Sequence, residues 1–169
     1  MNQKYIITGA PGTGKTSIIN ELKKRTFNCI DEYARKVISK TRHTHSEIIA
    51  CENIIANMRT QEYLNSPKDR LCFFDRSALD CVAYLKINNL DPTSEIHKNI
   101  KICNFNTTVF YTPIWERIYK NDNERKENIK QARKIEAFIL ETYRAYGYKL
   151  VQIPKLTITE RADFIISKI

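Results

Sequence analysis

The chain has 169 residues, 42% of them hydrophobic and 28% charged, with a formal net charge of +9. That length suits one compact domain, and that balance excludes a disordered chain. No apolar window is long and uncharged enough to span a membrane, and the first residues run straight into a strand without a cleavable apolar leader, so a cytoplasmic protein is expected.

Lys4–Thr8 is a short apolar run with β-branched residues, the pattern of a buried strand. Lys15–Arg25 follows as a helix with Ile18, Ile19 and Leu22 on one face, then Phe27–Ile30 as a second strand and Glu32–Lys40 as a helix. Ser46–Leu64 is a longer helix in which Ser46 is read as the cap and Ile48, Cys51, Ile55 and Met58 recur at helical spacing. Leu71–Phe74 is a third strand ending in Asp75, and the Ser77 and Asp80 pair opens a helix over Ser77–Ile87. Ser94–Ile102 is a short helix, and Thr107–Tyr111 a fourth strand stopped by Pro113. After a charged stretch over Trp115–Lys134, Ile135, Phe138, Ile139, Tyr143 and Tyr146 share a helix face that Gly147 ends. Tyr148–Ile153 is a fifth strand, and a Thr157 and Glu160 capping box opens the last helix, Thr157–Lys168. Apolar strands alternating with helices predict an α/β fold whose parallel sheet is covered on both faces, in a single domain over residues 1–169.

The five cysteines, Cys29, Cys51, Cys72, Cys81 and Cys103, show neither a CxxC pair nor an even count, so they read as reduced thiols. His43, His45 and His97 have no cysteine or carboxylate at ligand spacing. The positive charge fits either a phosphorylated ligand or nucleic acid, or else a lysine-rich surface. Because the basic residues are spread along the chain, nucleic acid is not the favoured partner.

Gly9-Ala10-Pro11-Gly12-Thr13-Gly14-Lys15-Thr16 fits GxxxxGK[ST] at every fixed position, with a strand before it and a helix after. The chemistry explains the residue types. Successive backbone N–H groups can turn inward toward phosphate oxygens only where glycine relieves the backbone, and the helix N-terminus adds partial positive charge. Three of the chain's four glycines lie here. Lys15 is expected on the β- and γ-phosphates of ATP or another nucleoside triphosphate, Thr16 on Mg2+, and Ser17 beside them in the first helical turn.

Three further features bear on what is done with the triphosphate. Asp75 ends an apolar strand and is expected on the magnesium side. It is followed by Arg76 rather than by the glutamate a hydrolytic motor would use, and Asp-Arg-Ser looks like the DR/ER motif of nucleoside and nucleotide kinases. Glu32 stands just after strand two, where ligands of open α/β sheets bind, and a carboxylate there can act as general base toward an acceptor hydroxyl. Arg35, one turn on, could hold the acceptor. Finally, the charged segment after strand four sits where P-loop kinases carry a lid, here residues 114–128. Arg117, Arg125 and Arg133 recur every eight residues, about two helical turns, and guanidinium groups stabilise a transferring phosphoryl group. Trp115 would stack on a base or cover the lid hinge.

The segments ITGAPGTGKT, DEYARKVI, FFDRSALDCVAY, TVFYTPIWERIYKNDNERK, YRAYGYKLVQIP and TITERADFI run through almost the whole chain in one order. The series resembles the small AAA-named P-loop family that includes the ribosylnicotinamide kinase domain of NadR and the TRPL translocation defect protein. Glu32, Tyr33 and Arg35 match its Glu-Tyr-x-Arg segment. Asp122 and Arg125 depart by one residue from an Asp-x-x-x-Arg spacing, so only Arg125 is carried over to the lid. The resemblance implies a three-layer P-loop kinase-like core with strand order 2-3-1-4-5. It also implies a place near the nucleotide base for Pro154-Lys155-Leu156, with Lys155 binding nucleotide, and a substrate-side role for Asp80.

The expected activity is ATP- and Mg2+-dependent transfer of the γ-phosphate to a small-molecule acceptor, nucleoside- or nucleotide-like. Lys15, Glu32, Asp75, Arg76, Arg117 and Arg125 would do the chemistry, and Glu32, Tyr33, Arg35 and Asp80 would hold the acceptor. A nucleotide-dependent hydrolase or switch and a nucleic-acid end kinase are the alternatives. Monomer and homodimer are both compatible with the sequence.

Overall fold

The computed structural model describes residues 3–32, 44–117 and 129–169. Five strands, β1 (Lys4–Thr8), β2 (Asn28–Ile30), β3 (Cys72–Asp75), β4 (Thr108–Tyr111) and β5 (Lys149–Gln152), form one sheet in the order β2-β3-β1-β4-β5. Every pairing is parallel, with Ile6 opposite both Phe74 and Val109. This is the expected order, and it places the ends of β1, β2 and β3 side by side at one rim of the sheet.

The strands read as apolar runs because both faces are covered. Successive side chains of β1 point to opposite layers. Tyr5 and Ile7 pack with Ile18, Ile19 and Leu22 of α1 (Lys15–Lys24) and with Ala162 and Ile165 of α6 (Ile158–Ile166). Ile6 packs in the opposite layer with Leu79 and Ala83 of α3 (Ala78–Ile87) and Ile135, Ile139 and Tyr143 of α5 (Ile129–Ala145). Outside that layer, α2 (His45–Asn65) and α4 (Ser94–Ile102) cover the far side of α3 through Cys51, Ile55, Ala56 and Ile96. Fully burying an isoleucine or phenylalanine contributes about 1.5–3 kcal/mol, so the paired layers hold the rim on which the site stands.

Local signals set most boundaries. Ser77 and Asp80 cap α3 reciprocally, and Thr157 and Glu160 do the same for α6, as the sequence predicts. At Gly147, φ is +82°, and the Tyr148 N–H reaches back to the Tyr143 carbonyl at 3.0 Å, closing α5 with a left-handed turn. The start of α2 differs from expectation. Its cap is Thr44 and not Ser46, because Thr44 has a glutamate three residues on. The Thr44 hydroxyl accepts from the Glu47 N–H at 3.2 Å, and the Glu47 carboxylate accepts from the Thr44 N–H at 3.0 Å. Ser46 has no such partner at position 49, which is isoleucine. The helix expected over Glu32–Lys40 falls, beyond Glu32, outside the described residues. All five cysteines are free thiols, four of them buried. Among the described residues no helix is long and apolar enough to cross a membrane.

Candidate functional site

Gly9–Thr16 joins the end of β1 to α1, and Gly14 caps α1 from the left-handed region with φ +87°. Gly9 has φ +142°, and a Cβ there would lie 2.6 Å from the Thr112 carbonyl oxygen and closer still to the Thr112 hydroxyl. The first glycine of the loop is therefore required by close approach as well as by backbone angle. Thr112, at the end of β4, donates its N–H to the Thr8 carbonyl at 2.9 Å, and its hydroxyl pairs with that of Thr13. Thr13 also donates to the Ala10 carbonyl at 2.9 Å. Pro11 and Gly12 form the partly exposed tip, and Thr16 and Ser17 stand exposed at the first turn of α1.

Lys15 is 6% exposed, and its ammonium donates to the carbonyls of Gly9 at 2.9 Å and Ala10 at 2.8 Å. Burial lowers its pKa, as does Arg76, while Asp75, Glu32 and Asp80 partly offset the effect.

Asp75 closes β3 beside this lysine. Burial raises its carboxyl, with Glu32 adding to the shift and Lys15 and Arg76 opposing it, from the ordinary 3.8 to about 6. Its Oδ1 is buried with no hydrogen-bond partner among the described residues. An orphaned, buried carboxylate oxygen near Lys15 of the Gly9–Thr16 loop suits a hard divalent cation. Mg2+ takes one or two carboxylate or hydroxyl ligands and fills the rest of its shell with water and phosphate oxygens. Among the described residues no three His, Cys, Asp or Glu side chains converge on a common point, so such an ion would need oxygens from a ligand or water.

A carboxyl whose folded pKa is raised binds its proton more tightly folded than unfolded. It is harmless below about pH 4 and becomes increasingly destabilising as pH rises toward 6. Asp75→Asn is accordingly expected to raise the melting temperature of the ligand-free protein at pH 8, by an amount corresponding to at most roughly 3 kcal/mol. It should leave the melting temperature unchanged near pH 4 and lose the stabilisation by nucleotide that depends on magnesium. Thermal melts at the two pH values check this. An equal effect at both would refute the assignment of the raised carboxyl.

The next residue, Arg76, turns the chain from β3 into α3 through φ +76°, a costly angle for a residue with a Cβ. The turn buries its guanidinium between two carboxylates, with Nε 2.9 Å from Glu32 Oε1 and Nη1 2.9 Å from Asp80 Oδ1. A second guanidinium, from Arg59 of α2, meets the same Glu32 oxygen at 3.0 Å. It also donates to the Ser77 carbonyl at 2.9 Å and to Cys81 Sγ at 3.3 Å. Burial would raise the Glu32 carboxyl, but Arg76, Arg59 and Lys15 outweigh it and hold the group below its ordinary value. Glu32 is thus ionised, and both guanidiniums fall on Oε1.

Asp80, expected on the substrate side, lies behind this group with 0% exposure. It accepts from the Thr8 hydroxyl at 2.6 Å, the Tyr143 hydroxyl at 2.6 Å, the Ser77 N–H at 3.0 Å and Arg76. A carboxylate so enclosed cannot touch an acceptor, and it bears on the site by fixing Arg76. Burial would raise its pKa, yet Arg76, Arg59 and the two hydroxyl donors hold it down.

At the same rim, past β4 and β5, a cavity of about 370 Å³ is lined by Trp115, Glu116, Arg117, Arg133, Glu136 and Lys155, with Ile114 at its base. Among its lining residues Glu136 accepts from the Ile114 N–H at 2.8 Å, and Arg133 pairs with Glu116. Arg117 and Lys155 are exposed. Tyr33, Arg35, Arg125 and the lid over 118–128 lie outside the described residues.

The structure adds four residues to this site, Arg59, Thr112, Tyr143 and Arg161. Arg161, on α6, is 3% exposed and donates from Nη2 to the Thr13 carbonyl at 3.0 Å. Arg59 and Arg161 carried an available signal, since each is a charged residue on the buried stripe of its helix. Arg59 follows Ile55 by one turn, and Arg161 precedes Ile165 by one turn.

Comparison with known proteins agrees with this architecture. The family model described as an AAA domain matches residues 4–161. Among curated proteins, none matches the sequence. Among solved structures, NadR in complex with NR is similar with a TM-score of 0.73 and 17% identity over 99% of this chain and 51% of that one. Deoxyadenosine kinase from M. mycoides with bound dATP is similar with a TM-score of 0.69 and 17% identity over 98% of both chains. Thymidylate kinase from Candida albicans is similar with a TM-score of 0.70 and 16% identity over 99% of this chain and 92% of that one. At such identities the likeness establishes a shared fold, that of the P-loop kinases.

Proposed function

The chain belongs to the AAA domain family, with almost its whole length matched, and on that premise we propose that it is a kinase moving the γ-phosphate of ATP to a hydroxyl of a nucleoside-like small molecule. The observation that carries this is the state of Glu32: an ionised carboxylate at the end of β2, clamped through Oε1 by Arg59 and Arg76. Two cations on one oxygen leave Oε2, among the described residues, for the acceptor. A hydrolytic motor would place its water-orienting glutamate directly after Asp75, where Arg76 stands.

The loop's N–H groups, Lys15 and the α1 N-terminus would bind the triphosphate. Thr16 and Asp75 would hold Mg2+, which supplies charge neutralisation on the β- and γ-phosphate oxygens. Glu32 Oε2 would accept a hydrogen bond from the acceptor hydroxyl and take its proton as the acceptor oxygen bonds to the γ-phosphorus. The bond from that phosphorus to the bridging oxygen breaks, and ADP leaves. The lowered pKa of Glu32 keeps it in the basic form, and a loose transition state needs orientation of the hydroxyl more than a strong base. The cavity lined by Trp115, Arg117 and Lys155 would take the nucleotide base. The deoxyadenosine kinase, thymidylate kinase and NadR likenesses direct the search toward nucleosides, nucleoside monophosphates and ribosides.

A panel of these with γ-labelled ATP tests the reading. Label in one acceptor class is the expected result. ATP turnover with label released only as inorganic phosphate would replace the kinase by a hydrolase.

A further inference from the structure

Arg161 is a buried cation for which the catalytic scheme above has no use. It lies on the buried stripe of α6 with Ala162 and Ile165, which pack against Ile7, Ile18 and Ile19. Among the described residues no carboxylate is paired with it, and its Nε is buried without a hydrogen-bond partner. Burial lowers its pKa. An arginine in such surroundings is costly unless something offsets it. Among the described residues its one side-chain hydrogen bond, Nη2 to the Thr13 carbonyl at 3.0 Å, lands inside the phosphate loop.

That bond has a geometric consequence. A trans peptide unit is planar, with its C=O and the following N–H pointing in opposite directions. Drawing the Thr13 carbonyl toward α6 therefore turns the Gly14 N–H away from α6. The Thr13 side chain is anchored as well, by the Ala10 carbonyl at 2.9 Å and by the Thr112 hydroxyl, so the whole residue is fixed from the protein side. Gly14, with φ +87°, has no Cβ to hold that orientation by itself.

We propose that Arg161 is a positioning residue for nucleotide binding: it aims the Gly14 amide at the phosphates through the Thr13 carbonyl, and its own charge is balanced by the bound triphosphate. The inference rests on the loop being a nucleotide site. It adds that the C-terminal helix, not only the loop, sets triphosphate affinity, and that the ligand-free protein carries a charge whose natural counterion is the ligand.

The test compares wild type with Arg161→Met and Arg161→Lys, using MgATP and its non-hydrolysable imido analogue as probes. Affinity is read by calorimetry and melting temperature by thermal melts with and without nucleotide, and the Gly14 amide resonance is followed by NMR. Arg161→Met is expected to melt at or above the wild-type temperature without nucleotide, yet to bind the analogue at least tenfold more weakly and to lose most of the nucleotide-induced rise. The Gly14 resonance should shift on analogue binding in wild type and much less in the variant. Arg161→Lys, which keeps the charge without the fork, should fall between the two. Wild-type affinity in either folded variant would overturn the proposal. So would an Arg161→Met chain that fails to fold while Arg161→Lys folds and binds normally. Failure of wild type itself to bind the analogue would instead remove the nucleotide-site reading, which keeps the two outcomes separate.

Discussion

Glu32→Gln is expected to lower phosphoryl transfer about 10²–10⁴-fold while leaving ATP affinity nearly intact, the range for loss of a positioned general base. The amide has the same shape, and its oxygen can still accept from Arg59, 3.0 Å from Glu32 Oε1, and lie beside the Arg76 guanidinium, 2.9 Å away. What it cannot do is receive a proton. The variant also leaves two buried guanidiniums sharing a neutral partner, so a stability loss of up to about 3 kcal/mol should accompany the rate effect. Single-turnover transfer, measured at a temperature where both proteins are folded, separates the two consequences. Transfer within a few-fold of wild type would take Glu32 out of the chemistry and leave it a structural bridge between β2, α2 and β3.

Lys15→Met should remove both nucleotide stabilisation and transfer, the latter by about 10²–10³-fold, as for loss of one preorganised charged donor at a transition state. The fold should survive. Methionine nearly matches the buried stem, and the ammonium it removes is 6% exposed, with a pKa depressed by burial and by Arg76. Against that relief, Asp75, Glu32 and Asp80 lose a nearby positive charge, so the net change in ligand-free stability is expected to be small. A nucleotide-induced rise in melting temperature equal to that of wild type would contradict the role given to Lys15.

The sheet and the loop were largely legible from the sequence because both rest on local rules. Short apolar runs between helical patterns can be satisfied only by strands covered on both faces. The glycine spacing of Gly9–Gly14 has no cheaper use than wrapping an anion. The Ser77 and Asp80 pair and the Thr157 and Glu160 pair were likewise readable, since a cap acts within one turn. The Thr44 and Glu47 pair obeys the same rule, and Ser46 was a misplacement of that signal.

The acceptor side was only half legible. The positions of Glu32, Asp75 and Arg76 at strand ends could be inferred, but their partners arrive from afar: Arg59 lies 27 residues beyond Glu32, and Tyr143 63 residues beyond Asp80. Local sequence around Tyr143 shows only a packing face, because its ring lies in the core while its hydroxyl is bonded to Asp80. Asp80 misled for the same reason. A carboxylate one turn into a helix beside the site resembles a ligand contact until its four donors, from three parts of the chain, are seen to enclose it.

The fate of the γ-phosphate is the direct measure of the central claim. With Mg2+, ATP and the acceptor class that takes label, phosphorus NMR should show a new phosphate-ester resonance growing in step with ADP, and Glu32→Gln should suppress that resonance while the protein still binds ATP. Growth of inorganic phosphate in step with ADP, with no ester formed and no dependence on Glu32, would contradict it.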